Sequence, residues 1–249
     1  MLSEVSANEA SAEAEEKRTD PGASRHGNFM NYYQFHPAEE RVRLLPRGVW
    51  RTIHSDRKYI GLDVGCNAGD LTYELQKFFI RELPECEISL LGVDLDPLLI
   101  ERARERNPHP DRTTFQCLNF LSEDHDKLLT EYLVSLQRSH FDVIFCFSIT
   151  MWIHLNYGDE GLERFFRKAT RLCYTIVVEP QSWKCYRNAS RRLRRARTED
   201  FPMLNTFKYK GDMAAHIRNI LEKLCSFKKV AETQGNQWQR KIFIYRKEI

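Results

Sequence analysis

Short apolar runs alternate with segments of helical spacing along most of the chain. Each run is long enough for one buried strand and too short for a buried helix. Five runs have a helical segment between them: Tyr59 to Val64, Ile88 to Val93, Thr113 to Leu118, Phe141 to Phe147 and Tyr174 to Glu179. This alternation predicts an α/β fold, in which a mainly parallel sheet has helices on both faces.

The intervening segments have apolar residues spaced three and four apart, as helices require. They are Asp70 to Phe79, Pro97 to Arg106, Asp126 to Gln137, Leu162 to Leu172 and Asp212 to Leu224. A short helix is also expected after Pro37, and Asp96 is expected to cap the helix that begins at Pro97. Two late strands, Phe227 to Glu232 and Lys241 to Tyr245, lie too close for a helical crossover, so they predict an antiparallel edge hairpin.

Composition divides the chain near residue 27. Residues 1–26 are rich in Ala, Ser and Glu and lack aromatic side chains, which predicts a disordered tail before a single domain over 27–249. Four aromatic residues then fall within seven positions: Phe29, Tyr32, Tyr33 and Phe35. Such a segment is expected to pack on the domain, either as a lid that orders around a ligand or as a static arm.

Whole-chain composition excludes several protein classes. Hydrophobic residues make up 42% and charged residues 29%, so a sizeable core is expected. Apolar runs are too short for a membrane-spanning helix, and the first residues lack the basic and apolar regions of a secretory signal. The seven cysteines form no CxxC pair, which argues against disulfides and a Cys-based zinc site. We expect a cytoplasmic protein without membrane contact and leave a nuclear location open.

The segment Leu62 to Asp70 reads L-D-V-G-C-N-A-G-D and predicts a strand, a glycine turn and a helix. Gly65 and Gly69 let the backbone turn tightly and approach a ligand, because neither has a Cβ. Asp63 is expected to brace this turn and is counted among the residues that bind the cofactor, as is Gly65. The second strand ends at Asp94, where a carboxylate is placed to accept hydrogen bonds from both ribose hydroxyls of a nucleoside cofactor.

The spacing of the turn separates this site from dinucleotide sites. Those carry GxGxxG, whereas here the spacing is GxxxG and Asn67 replaces the middle glycine. The pattern resembles motif I of class I S-adenosylmethionine-dependent methyltransferases, which have a Rossmann-like fold. In such a fold Asn119 and Phe120 follow the third strand beside the adenine, and Phe147 follows the fourth. Core packing is the alternative role of both phenylalanines.

Five segments in order carry a resemblance to one family: GNFMNYYQFHP, LDVGCNAGDLT, GVDLDP, SITMWIHLNYGDEGL and VEPQSWKCYR. The set resembles the bicoid-interacting family of RNA 5′-phosphate methyltransferases, which includes the methylphosphate capping enzyme. It is most similar to the small cytoplasmic branch that methylates 5′-monophosphate ends of small RNAs. The resemblance covers nearly everything from Gly27 to Arg195, and more loosely the last two strands.

The resemblance implies S-adenosylmethionine as cofactor and an RNA with a 5′-monophosphate end as substrate, of tRNA or microRNA-precursor type. It also implies which residues bind the cofactor, and most of them have been introduced above: Arg41, Asn67, Asp94, Asn119, Phe120 and Phe147. Related proteins often have Asp where Asn119 stands. The Asn119 amide oxygen still accepts a hydrogen bond, so we expect weakened but retained binding.

No catalytic base is evident, and this reaction does not need one. A phosphate monoester is mostly a dianion at pH 7, since its second pKa is about 6. The protein must instead align it with the methyl donor. Candidates to position the phosphate are Tyr32, Tyr33, Lys184, Tyr186, Arg187 and Arg191. No metal site is expected, and His154 is expected to order a loop over residues 152–161 instead of acting as a base or ligand.

Basic residues concentrate between Lys184 and Arg197, a segment without acids in a chain of net charge +3. Helical spacing places Tyr186 and Leu193 on an apolar stripe and gathers Arg187, Arg191 and neighbouring arginines on another. Like charges four apart destabilise a helix, and RNA phosphates would relieve that repulsion. A solvated surface helix is the alternative interpretation.

Two other functions fit parts of this pattern. One is a methyltransferase that acts on an RNA base, a protein or a small molecule. The other is a non-catalytic RNA-binding module that retains the fold. This alternative is kept because Asn119 stands where related proteins often have Asp.

Overall fold

A seven-stranded sheet forms the centre of the protein in the computed structural model, which describes residues 22–122 and 125–248. Its strands are β1 (Lys58–Val64), β2 (Glu87–Asp94), β3 (Thr113–Cys117), β4 (Phe141–Phe147), β5 (Cys173–Glu179), β6 (Phe227–Glu232) and β7 (Phe243–Lys247). Their order is β3-β2-β1-β4-β5-β7-β6. Strands β1 to β5 pair in parallel, and β7 pairs antiparallel with β5 and β6. The predicted α/β sheet with an antiparallel edge hairpin is confirmed.

Helices connect the strands and cover both faces of the sheet. They are α1 (Tyr32–Phe35), α2 (Ala38–Leu44), α3 (Asp70–Glu82), α4 (Pro97–Glu105), α5 (His125–Ser135), α6 (Thr150–Arg171), α7 (Trp183–Arg195) and α8 (Met213–Asn219), with a π-helix at Ile220–Leu224. The Asp96 carboxylate accepts the Leu98 N–H at 2.9 Å, so it caps α4 as predicted.

Two apolar clusters hold the sheet between its helices. Successive side chains of a strand point to opposite faces of the sheet, so one strand contributes to both clusters. Ile60 and Leu62 of β1 lie in one cluster, and Val143 and Phe145 of β4 lie in the other. Every residue of β4 is buried. Burial on both faces explains why these strands are mostly apolar on both faces instead of alternating between apolar and polar residues.

Two predicted elements start more than one residue away from where the structure begins them. Helix α6 begins at Thr150, not Leu162, and the predicted loop over 152–161 is helical. Gly158 lies in that segment with φ 71° and ψ −174°, so it kinks the helix and interrupts the spacing by which a helix is recognised. Strand β7 begins at Phe243, not Lys241. The Ile242 N–H is instead bonded to the Thr233 hydroxyl at 3.0 Å, so the loop extends further than predicted.

The predicted tail lies mostly outside the described residues, since the description begins at residue 22. Within residues 22–26, the Arg25 guanidinium donates to the carbonyls of Asp200 at 3.1 Å and Glu199 at 2.8 Å. Contact with the domain therefore starts before the predicted boundary, and the division at residue 27 stays a prediction. Across the described ranges, no helix has both the length and the apolarity that crossing a bilayer requires.

Candidate functional site

A cavity opens where β1, β2 and β4 end, on the side of the sheet where ligands of such folds bind. It encloses about 920 Å³ including its open side, which is room for a nucleoside cofactor. Nine predicted site residues line it: Tyr32, Tyr33, Arg41, Gly65, Asn67, Asp94, Asn119, Phe120 and Phe147. The other predicted site residues do not line this cavity.

The glycine turn between β1 and α3 forms one wall of the cavity. Gly65 and Gly69 have φ angles of 77° and 85°, in the left-handed region that glycine adopts without strain. A Cβ on Gly65 would lie 2.2 Å from Cγ2 of Ile149. The N–H groups of Gly65 and Cys66 both donate to the Val93 carbonyl, at 2.8 and 3.0 Å. The turn is thereby fixed to the end of β2, beside Asp94.

Asp94 joins the turn to the strand that follows it. One carboxylate oxygen accepts the Asn67 N–H at 2.9 Å, and the other accepts the Asp96 N–H at 3.0 Å. Each oxygen keeps a further lone pair for a ligand. Burial raises the pKa of Asp94, and the two backbone N–H donors oppose that shift. The carboxylate is thus held rigidly at the cavity wall, as a ribose-binding group requires.

The aromatic segment lies across the cavity mouth. Asn67 donates from its side-chain amide to the Phe29 carbonyl at 3.0 Å, and the Phe29 ring meets Trp152 edge-on at 5.9 Å. Asn28 donates to the Asp96 carboxylate at 2.7 Å. The segment therefore packs on the domain as predicted. Asn28 and Trp152 line the cavity, although the sequence did not single them out.

The predicted adenine region is partly occupied by internal hydrogen bonds. The Asn119 amide oxygen accepts the Leu121 N–H at 3.0 Å, and its nitrogen donates to the Tyr157 hydroxyl at 3.3 Å. The Phe120 ring lines the cavity and packs edge-on against Phe165 at 5.3 Å. Phe120 therefore combines the two predicted roles, a wall of the cavity and part of the core.

Asp63 does not line the cavity, which corrects its predicted direct place at the cofactor. Its side chain is 2% exposed and accepts the Thr72 hydroxyl at 2.7 Å. Thr72 lies in the first turn of α3, so this bond holds the helix against β1 below the glycine turn. Burial raises the pKa of Asp63 to about 6.

The buried Asp63 makes folding stability depend on pH in a defined direction. The unfolded chain titrates at about 3.9, so between that pH and about 6 the folded protein binds the extra proton. Stability therefore falls as pH rises through this window. Relative to Asp63→Asn, the wild type should lose about 2 kcal/mol of unfolding free energy between pH 4 and 7. Urea unfolding of both proteins measures this, and a difference independent of pH contradicts it.

A buried ion pair lies beside the cavity, near Phe147. Arg41 donates from Nε to the Glu179 carboxylate at 3.1 Å, and both side chains are fully buried. Arg41 also donates to the hydroxyls of Tyr32 at 2.8 Å and Ser148 at 3.2 Å. Burial by itself would lower the pKa of Arg41, but Tyr32 and Glu179 raise it above its usual value. The guanidinium is therefore charged and fixed beside the cavity.

Four of the predicted positioning residues are not at the cavity. Lys184, Arg187 and Arg191 are exposed on α7. Tyr186 is 1% exposed, and its hydroxyl lies 3.1 Å from Nδ1 of His154. Amphipathic spacing explains both outcomes, because it buries the Tyr186 stripe in the core and turns the cations outward. The prediction that these four residues contact the reacting phosphate is therefore wrong.

His154 has a structural role. Its Nε2 lies 2.8 Å from the Asp159 carboxylate, and its ring stacks on Phe207 at 3.9 Å. Burial lowers the pKa of His154, against the opposing effect of Asp159. A neutral imidazole thus joins the kinked part of α6 to α7 and to the segment that follows α7. Within the described residues, no group of three His, Cys, Asp or Glu side chains is arranged to hold a metal.

Sequence reasoning missed the loop between β6 and β7. Arg240 donates to the Ser148 hydroxyl at 2.8 Å, and Asn236 donates to the Glu179 carboxylate at 3.0 Å. Burial alone would raise the pKa of Glu179, but Arg41 and then Arg240 lower it below its usual value. The loop is polar and sits between two edge strands, so no pattern marked it as part of the site.

Comparison with known proteins agrees with this geometry. A family model described as Bicoid-interacting protein 3 (Bin3) matches residues 141–247, and one described as Methyltransferase domain matches residues 62–174. The RNA 5′-monophosphate methyltransferase of Bos taurus is 42% identical over 94% of this chain and 85% of its own. The pre-miRNA 5′-monophosphate methyltransferase of Xenopus laevis is 38% identical over 91% of this chain and 94% of its own. The chain belongs to the Bicoid-interacting protein 3 family.

Solved structures agree on the fold of this Bin3-family protein. An O-methyltransferase family protein from Burkholderia thailandensis superposes with a TM-score of 0.56 at 14% identity, over 89% of this chain and 58% of that one. The N-methyltransferase NodS from Bradyrhizobium japonicum WM9 does so with a TM-score of 0.52 at 15% identity, over 88% and 98%. The predicted class I methyltransferase fold is confirmed, as is the predicted family resemblance.

The Bin3-family cavity fits S-adenosylmethionine, the methyl donor of class I methyltransferases. Asp94 has free carboxylate lone pairs at the cavity wall, which suit ribose hydroxyls. Gly65 brings the backbone of the turn to the cavity without a side chain. Phe120 lines the cavity and would supply an apolar surface for the adenine. These residues would hold the cofactor; each individual assignment stays a prediction.

Proposed function

We propose that this protein methylates the 5′-monophosphate end of small RNAs, of tRNA or microRNA-precursor type. The observation that carries the proposal is the likeness, over nearly the whole chain, to relatives named for methylation of 5′-monophosphate ends. Support from the structure is the charged Arg41, which lines the cavity. The resemblance implies a cofactor contact for Arg41, and we propose that its guanidinium serves the substrate phosphate instead. A terminal phosphate beside Arg41 would meet both a cation and hydroxyl donors.

The reaction needs alignment more than acid–base chemistry. When bound, the cofactor supplies a methyl group on a cationic sulfur. The terminal phosphate, with a second pKa of about 6, arrives mostly as a dianion at pH 7. A bond forms between a phosphate oxygen and the methyl carbon while the sulfur–methyl bond breaks, so no proton moves. His26 lines the cavity, yet the dianion leaves it nothing to remove.

The protein's own part is to hold the phosphate and exclude water. Arg41 and the hydroxyls of Tyr32 and Tyr33 line the end of the cavity, where they would bind the phosphate oxygens that do not react. A cation too close to the reacting oxygen would reduce its nucleophilicity. Holding two reactants in line contributes roughly 7–11 kcal/mol toward lowering a barrier. We therefore assign these residues to positioning.

RNA beyond its first nucleotide would contact α7. Arg187 and Arg191 lie four residues apart on this helix and are exposed, outside the cavity. Arg194 has a carboxylate neighbour, Asp200, at 3.6 Å. Cations of this kind bind the phosphate backbone, so the contact would weaken with salt and depend little on sequence.

Charge reversal at Arg187 and Arg191 tests the role of α7. The Arg187→Glu, Arg191→Glu double variant should weaken RNA binding at least ~10-fold and leave affinity for S-adenosylhomocysteine unchanged. The matched control is Lys77→Glu with Arg81→Glu, which has the same spacing near the end of α3 that lies away from the cavity. Fluorescence anisotropy at two salt concentrations measures RNA affinity. Equal losses in both double variants contradict the role of α7.

The proposed reaction is tested with RNAs that differ only at the 5′ end. The protein is incubated with methyl-labelled S-adenosylmethionine and RNA that ends in a monophosphate or in a hydroxyl. Label should enter the monophosphate RNA and not the hydroxyl RNA. Label in both indicates a base methyltransferase. Cofactor binding without turnover on any RNA indicates a non-catalytic module.

We expect the protein to act in the cytoplasm. Support comes from the resemblance of the sequence to the small cytoplasmic branch of the family. Fluorescence imaging of the tagged full chain tests this location, and a signal confined to the nucleus contradicts it.

A further inference from the structure

Arg240 reaches Ser148, a residue of the cavity wall, from the loop between β6 and β7. Its Nη1 donates to the Ser148 hydroxyl at 2.8 Å, and its Nη2 lies 3.7 Å from the sulfur of Cys185. Arg41 donates to the same Ser148 hydroxyl from the other side, at 3.2 Å. Ser148 lines the cavity, so two guanidinium groups flank one point on its wall.

The hydrogen-bond partners of Arg240 are weak for a guanidinium that is half-buried. A guanidinium has five N–H donors, and the acceptors found among the described residues are one hydroxyl and one sulfur, a poor acceptor. Arg41, by contrast, is engaged by the Glu179 carboxylate, a carbonyl and two hydroxyls. Arg240 therefore keeps donors that a stronger acceptor could take.

Charge at this end of the cavity is unbalanced. Glu179 forms its ion pair with Arg41, and no ion pair with a carboxylate is found for Arg240 within the described part of the chain. His36 does not add a negative partner: burial, Arg240 and Arg41 together lower its pKa to about 4, so the ring is neutral at pH 7. Two cations thus share one carboxylate. Buried charge is costly unless it is paired, so this arrangement favours an added anion.

An unsatisfied polar atom lies in the same place. Nδ1 of His36 is buried and has no hydrogen-bond partner among the residues that the structure describes. The His36 ring packs edge-on against Trp238 at 4.5 Å, and the guanidinium of Arg41 lies over Trp238 at 5.6 Å from the ring centroid. Residues from the aromatic segment, α2 and the β6–β7 loop therefore meet around the two guanidinium groups. Such a lining suits a compact anion with several acceptor oxygens.

We infer that Arg240 is a substrate-positioning residue, which with Arg41 forms a two-arginine clamp for the terminal phosphate dianion beside Ser148. The inference rests on the proposed function and adds a residue that gives the site its specificity for a phosphorylated end. Planar guanidinium groups bind phosphate through paired N–H donors, which also fixes its orientation. Arg240 replaces the α7 cations as the predicted grip on the nonreacting oxygens.

The test is discrimination between phosphorylated and unphosphorylated ends. Affinities of RNAs with a 5′-monophosphate or a 5′-hydroxyl are measured by fluorescence anisotropy in the presence of S-adenosylhomocysteine. Arg240→Gln should bind the monophosphate RNA on the order of 10- to 100-fold more weakly and the hydroxyl RNA as the wild type does. Arg240→Lys keeps the charge but not the paired donors, so its affinity for the monophosphate RNA should lie between those of the wild type and Arg240→Gln.

Lys241→Gln is the matched control, because it removes the neighbouring charge on the same loop. Lys241 is exposed and pairs with Glu232 at 2.7 Å, so discrimination should be unchanged. Without ligand, Arg240→Gln should have a Tm equal to or above that of the wild type, since an unbalanced charge is removed. A lowered Tm with retained discrimination assigns Arg240 to structure and overturns the inference. If the wild type binds the monophosphate RNA and the hydroxyl RNA equally, the proposed function and the clamp are both overturned. If Arg240→Gln loses only the wild-type preference for the monophosphate RNA, both are supported.

Discussion

The Asp94→Ala variant is expected to bind S-adenosylhomocysteine roughly 100-fold more weakly than the wild type. The carboxylate faces the cavity and would accept two ribose hydroxyls, and a hydrogen bond to a charged group contributes about 1.5–3 kcal/mol. The substitution also removes the acceptor for the Asn67 N–H, so the glycine turn loses its link to β2. Isothermal titration calorimetry measures the affinity directly and does not depend on turnover.

A charge-matched control separates this effect from a general one. Asp111→Ala removes an exposed carboxylate that lies 3.4 Å from Arg112, and it should leave the affinity unchanged. Thermal unfolding of both variants without ligand shows how much of the loss comes from the turn. Unchanged affinity in a folded Asp94→Ala protein would remove the assignment of Asp94 to the ribose.

The Arg41→Ala variant is expected to lose about 3–5 kcal/mol of unfolding free energy, among the largest effects of any single substitution in the chain. Arg41 and Glu179 are both fully buried, so the substitution leaves a buried carboxylate without its ion-pair partner. A cavity also opens where the side chain packs beside Tyr32. Urea unfolding measures the change, and catalysis should be lost in the same variant.

Arg43→Ala is the control from the same helix. Arg43 pairs with Glu40 at 2.8 Å but is 73% exposed, and solvent-exposed pairs contribute at most about 1 kcal/mol. Adding Glu179→Gln to Arg41→Ala should recover part of the lost stability, because the unpaired charge is then gone. Equal stability of Arg41→Ala and Arg43→Ala would show that the buried pair does not stabilise the fold.

The strands were predictable because a parallel sheet buries both faces. Tyr59 to Val64 and Phe141 to Phe147 are apolar except for one aspartate each, and each ends at residues that a turn prefers or a ligand needs. Ligand residues at strand ends follow from the same logic, since carboxyl ends of parallel strands lie together. Asn67 and Asp94 could therefore be placed from sequence order alone.

Residues brought in by tertiary packing could not be placed that way. Ser148 and Arg240 are 92 positions apart and meet only because β7 inserts between β5 and β6. The first half of α6 was missed because Asn156, Gly158 and Asp159 interrupt its helical spacing. The α7 cations were predicted to be near the phosphate on charge alone, whereas the apolar stripe of that helix decided which way they face.

The state of the terminal phosphate after reaction tests the central claim most directly. RNA with a radiolabelled 5′-monophosphate is incubated with the protein and S-adenosylmethionine and then treated with alkaline phosphatase, which releases phosphate from monoesters but not from methyl esters. Our account predicts that the label becomes resistant to phosphatase only when both the protein and the cofactor are present. Methylated RNA whose terminal phosphate stays fully sensitive would contradict it, because the methyl group would then be elsewhere on the molecule.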